Sequence, residues 1–239
     1  NNVGKTNLLD ALRVALGSAW NNSEPIHLSK EDLHRSSDGN MIDKSIIVAD
    51  SYNELALIND VAKQRGLHIK AGLRINPDYS MDFGKGASSK FGVDEETIVC
   101  QRDFLNNLTN ISIVGIHVHL RSQVLEHSKL YRYYEKIFEL ALFCKESMGW
   151  EMEFINFGGG LGIVYSSLND IPLNLELLSV EFEKLLLRFK DKISARLIIE
   201  TGRFVVCEAG KYVTRIVDIK ESRGTKYLVV ENGLNGFLR

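Results

Sequence analysis

The 239-residue sequence predicts an α/β fold on a parallel sheet, followed by a stretch of β structure. Three observations predict it. Five short, β-branched runs alternate with helical runs between residues 45 and 200. One of these runs passes directly into the glycine turn Gly158-Gly159-Gly160. Past Arg203 the helical period gives way to β-rich segments. Strands separated by helices form βαβ units, with parallel strands and right-handed crossovers.

Taken in order, residues 7–16 read as a helix, with Leu8, Leu9, Leu12, Ala15 and Leu16 at three- and four-residue steps. Residues 18–40 are polar and irregular. The first strand is 45–49. Residues 51–65 carry Leu55, Ile58, Val61 and Ala62 on one helical face and stop at Gly66. Strands at 69–75, 111–120, 153–157 and 197–200 alternate with helices at 95–107, 125–148 and 175–190. The β region takes in 204–219 and 227–231, with a turn at Arg223-Gly224.

Composition narrows the class. Hydrophobic residues are 44% and charged residues 25%, as in soluble globular proteins. Lysine and arginine total 29 against 31 acidic residues, so no basic field points to nucleic acid. No apolar run is long enough to cross a bilayer, and no signal-peptide pattern opens the chain. Cys100, Cys144 and Cys207 are too sparse for a disulfide framework or a CxxC metal site. The expectation is a cytoplasmic enzyme with no membrane or nucleic-acid partner.

Several motifs carry chemistry. Gly4-Lys5-Thr6 matches the end of a P-loop, where helix N-terminal amides and a lysine cradle phosphates. Gly158-Gly159-Gly160 after a strand is either a phosphate-binding turn or an unliganded βα turn. Glu200-Thr201-Gly202-Arg203 places a carboxylate and a guanidinium at a strand end, as a two-ended ligand clamp or a structural ion pair. His117 and His119 alternate onto one strand face with Ser122 just beyond. They offer a stacking ring, half of a two-histidine metal site, or a buried, hydrogen-bonded histidine. Asp50 and Ser51 stand where a helix begins, so capping is the plain reading. Arg74 is an anion ligand or an interior ion pair.

In this order and spacing the motifs form a set: VADSYNEL at 48–55, LRINP at 73–77, SKFGVD at 89–94, GIHVHLRSQ at 115–123, INFGGGLGI at 155–163, ETGR at 200–203 and VVENGLNGFLR at 229–239. Residues 41–239 resemble the fold-III pyridoxal-phosphate decarboxylases, the diaminopimelate, ornithine and arginine decarboxylase family. The resemblance implies a partial TIM barrel of the alanine-racemase type over 41–203 and the start of a β domain over 204–239. It also implies pyridoxal 5'-phosphate as cofactor, a small-molecule amino-acid substrate and a homodimer in the intact enzyme.

Residue by residue, the resemblance has His119 stack on the cofactor ring and Glu200 pair with the pyridine nitrogen. Gly158, Gly159, Gly160, Ser122, Gly202 and Arg203 hold the phosphate. Arg121, where the family has glycine, and Arg239 are the candidates for a distal group of the substrate. No metal is expected. The family's Schiff-base lysine, in a segment like A-V-K-A-N, has no counterpart here, and neither does its C-terminal Cys-Glu segment. The chain as written is therefore expected to be inactive.

Residues 1–40 resemble instead the P-loop opening of ATPase-nucleases of the overcoming-lysogenization-defect type, which suggests a join near residues 40–44. Rival expectations are a P-loop ATPase or nuclease fragment, a racemase of the same fold and a non-catalytic binding protein.

Overall fold

The computed structural model describes residues 47–165 and 170–233. The helix expected at 7–16, the motif Gly4-Lys5-Thr6 and Arg239 lie outside the described residues. Two compact units are present, divided between Val205 and Val206.

In the first unit, strands β1 (Ile47–Ala49), β2 (Ile69–Asn76), β4 (Ile111–His117), β5 (Phe154–Asn156) and β6 (Arg196–Ile198) lie side by side in chain order, all parallel. The two-residue β3 (Val93–Asp94) pairs with β2 off this path. The five expected strands are all present; those expected at 111–120, 153–157 and 197–200 end three, one and two residues early, and the one expected at 69–75 runs on to Asn76.

Helix α1 (Tyr52–Gln64) starts where Ser51, in extended backbone, accepts a hydrogen bond on its hydroxyl from the Glu54 amide. Glu54 in turn accepts from the Asp50 amide. The pair forms a reciprocal cap of the helix start, so Ser51 is structural. Asp50 is structural too: its carboxylate accepts from the Gly92 amide at 2.8 Å and lies 3.5 Å from Arg74.

The helix expected at 95–107 is broken. A single 3-10 turn (Glu95–Thr97) precedes the short α2 (Arg102–Asn106). The run Thr97-Ile98-Val99 is β-branched, and the Thr97 hydroxyl donates to the Asp94 carbonyl at 2.7 Å. Both effects compete with continuous helix.

Helix α3 (His127–Met148) turns Leu130, Tyr133, Tyr134, Ile137, Phe138, Ala141 and Cys144 onto the sheet and ends at Gly149 in the left-handed conformation. Helix α4 (Leu175–Phe189), capped by the Asn174 side chain, packs on α3. Their seam is aromatic. Phe138 stacks on Phe189 at 4.9 Å, and Tyr134 meets Phe157 and Phe182 edge-on. Each such buried ring contributes roughly 1.5–3 kcal/mol by leaving water. Burial also pushes the Cys144 thiol up to about 12, so it serves as a small apolar side chain.

Strand was expected from residue 204. The structure instead has a helical turn, α5 (Arg203–Val206), and strand begins only at Ile216. Valine-rich sequence there yields to the local bond from the Val205 amide to the Gly202 carbonyl. The second unit is a hairpin of β7 (Ile216–Ser222) and β8 (Thr225–Val230). Its two-residue turn is the expected Arg223-Gly224, both with positive φ, the backbone that matches the twist of paired strands. Among the described residues no helix is long and apolar enough to cross a membrane.

Candidate active site

The site grows from the side-chain rows of the sheet. Register sets Gly72 beside Gly115 and Gly115 beside Phe154. The Phe154 ring occupies the space above both glycines; a Cβ on Gly72 would sit 2.5 Å from it, and one on Gly115 would overlap it. Two residues further along each strand, Arg74, His117 and Asn156 form the next row on the same face. An apolar layer thus supports a polar one at the C-terminal ends of the strands, the end that carries active sites in βα barrels.

Asn156 organises that end. Its amide nitrogen donates to Glu200 Oε1 at 2.9 Å, and its amide oxygen accepts from the Gly158 N–H at 2.9 Å. The Glu200 N–H returns a bond to the Gly158 carbonyl at 2.7 Å. Gly158 has φ +65, and a Cβ there would lie 2.6 Å from the Val118 carbonyl and 2.7 Å from His119 Cβ. Only glycine fits both the conformation and the approach.

The two histidines differ. His119 Nδ1 accepts from the Gly159 N–H at 3.0 Å. An amide can only donate, so the lone pair is on Nδ1 and the neutral ring carries its proton on Nε2. Burial, reinforced by Arg74, lowers the His119 pKa. His117 is 8% exposed, and its Nε2 has no hydrogen-bond partner. Burial brings its pKa down to about 4, against the pull of Glu200. The 3.9 Å between His117 Nε2 and Glu200 Oε1 is therefore a contact of a neutral ring with a carboxylate, not an ion pair at neutral pH.

The remaining predicted residues fall around this core. Ser122 is exposed in the turn after β4. That turn is fastened to the glycine turn: the Val124 N–H donates to the Gly160 carbonyl, the Gly162 N–H to Val124, and the Ile163 N–H to the Gln123 side chain. Arg203 opens α5 with its guanidinium 5.8 Å from the Tyr165 ring, and no described carboxylate pairs with it. Gly202 has no neighbour within 4 Å of where a Cβ would stand.

Arg121 is turned aside. Its carbonyl abuts Gly160, but its guanidinium reaches Asp82 at 3.5 Å. Asp82 is also held by Lys129 at 3.0 Å, and Lys129 by Glu126 at 2.9 Å. This clasp ties down the loop between β2 and β3, where Phe83 packs under the Arg132 guanidinium. Lys90, in the same loop, lies 5.0 Å from the Phe91 ring, and Arg74 is 4.4 Å from that ring.

Sequence reasoning brought His119, Glu200 and the three glycines forward, and they do converge. It missed Asn156, whose signal was a polar residue inside the apolar run before the glycines. It also missed Tyr133, a tyrosine in mid-helix with no local signal.

The fold is that of a pyridoxal-binding domain. The chain belongs to the pyridoxal-dependent decarboxylases: the profile of their pyridoxal binding domain matches residues 27–207. It is 32% identical over 198 residues to the diaminopimelate decarboxylase of Methanocaldococcus jannaschii, covering 80% of this chain and 45% of that protein. It is 29% identical over 205 residues to the diaminopimelate decarboxylase of Aquifex aeolicus, covering 83% and 47%. The crystal structure of the M. jannaschii enzyme in complex with L-lysine superposes with a TM-score of 0.67 over 81% of this chain and 46% of that one. The parallel sheet is thus part of an alanine-racemase-like TIM barrel. The chain spans less than half the length of these relatives.

Proposed function

We propose that residues 41–203 are the cofactor-binding portion of a pyridoxal-phosphate-dependent amino-acid decarboxylase of the diaminopimelate decarboxylase type. The observation that carries the reading is the hydrogen-bonded set at the strand ends: Glu200 through Asn156 to Gly158, and His119 through Gly159. A carboxylate, a neutral imidazole and a glycine turn that admits no side chain are held together there. Such a set fits a flat, cationic ring with an anionic tail.

Bound pyridoxal phosphate supplies an electron sink for the charge left at the substrate's α-carbon when carbon dioxide departs. Glu200 keeps a proton on the pyridine nitrogen, since a neighbouring carboxylate favours the cationic form. Asn156 aims that carboxylate by occupying Oε1. His119 presents its ring face. Its fixed tautomer leaves Nδ1 engaged with the backbone, which holds the ring in orientation, and burial favours its neutral form. Arg203 and Ser122 take the phosphate beside the Gly158–Gly160 turn. The substrate is an amino acid, and the working enzyme is a homodimer.

Binding measured by fluorescence with pyridoxal 5'-phosphate and with pyridoxal tests this. The phosphorylated form binds more tightly, and Arg203→Ala removes about tenfold or more of that preference, the value of one charge-assisted contact. Equal affinity for the two forms in the unaltered chain overturns the reading.

A further inference from the structure

The site rests on a residue that no motif marked. Tyr133 stands on α3 and is 2% exposed. Its hydroxyl lies 2.9 Å from the Val118 carbonyl and 3.0 Å from the Phe157 carbonyl. Val118 precedes His119, and Phe157 precedes Gly158. One hydroxyl, its proton shared between the two carbonyls, therefore clips the peptide that leads into His119 to the peptide that leads into the glycine turn.

These carbonyls lie beyond the regular ladder, because β4 ends at His117 and β5 at Asn156. Past that point the strands are joined by the Val118 N–H bond to the Asn156 carbonyl, by the Gly159 N–H bond to His119, and by Tyr133. We infer that Tyr133 is a positioning residue of the cofactor site, setting the distance between His119 and Gly158-Gly159 from behind. The inference deepens the cofactor reading above and rests on it for its meaning, but the clip itself is a property of the ligand-free chain.

A neighbour provides the control. Tyr134 is equally buried, and its hydroxyl has no partner. Tyr133→Phe and Tyr134→Phe each remove one buried hydroxyl from adjacent positions of one helix, and only the first removes a bond to the site.

Amide hydrogen exchange and imidazole nitrogen-15 shifts are recorded on the chain without ligand. Tyr133→Phe speeds exchange at Gly158 and Gly159 by about tenfold, the worth of one lost hydrogen bond, and leaves the centre of β2 unchanged. His119 then shows mixed tautomers. Tyr134→Phe alters neither signal. Unchanged exchange at Gly158 and Gly159 in Tyr133→Phe overturns the inference. So does uniform loss of protection across the sheet, which marks a purely structural hydroxyl.

Titration with pyridoxal 5'-phosphate adds a second readout, with Tyr133→Phe about tenfold weaker and Tyr134→Phe unchanged. If the unaltered chain takes up no cofactor, the proposed function fails while the exchange result still decides the role of Tyr133.

Discussion

His117 and His119 sit two residues apart on one face, yet the structure gives them different work. His119 has a bonded Nδ1 and an open ring. His117 is sealed beneath with a bare Nε2 beside Glu200. The sequence showed that the two share a face but not which of them is sealed, because burial depends on Phe154 below and Glu200 beside. His117 has a consequence for pH. Its folded pKa, about 4, lies below the ordinary 6.5. As pH falls from 6.5 toward 4, the unfolded chain takes up a proton that folded His117 refuses. Stability is therefore intact above 6.5, declines across that window and levels off below it. Urea unfolding at about pH 7 and about pH 5 shows the drop, and His117→Gln reduces it. Equal pH dependence in the two proteins would refute the assignment.

Among elements, those with strong periodicity were legible. Helices α1, α3 and α4 were read within two residues of their bounds, because each buries an apolar stripe and carries a start or stop signal such as Ser51, Asn174 or Gly149. The segment at 95–107 was misread because its apolar spacing is helical while Thr97, Ile98 and Val99 disfavour helix. Strand β3 is two residues held by neighbours, and so short a run leaves no period to detect. The cap of α1 is separable from the site, and Ser51→Ala lowers stability by about 1 kcal/mol in a denaturant melt. A change of a few tenths or less would mean that the Glu54–Asp50 bond caps the helix alone.

At the scale of the molecule, neighbouring strands follow chain order, so the topology was legible from alternation alone. The hairpin was legible from its turn. The stretch from Arg203 to Ile216 was not, because one turn of helix formed where valines suggested strand. The chain's net charge is only −2, so added salt has little overall repulsion to relieve. Its electrostatic response is local, and Asp82 is an exposed case: the loop between β2 and β3 is clasped there by Arg121 and Lys129. At roughly 0.5 M salt such pairs are screened within a few ångströms. Trypsin then cuts at Lys85 and Lys90 faster than at lysines on the helices, and cleavage rates independent of salt would refute the clasp. Ionic strength thus becomes a dial on how readily this one loop is digested, set by the side chains of Asp82, Arg121 and Lys129.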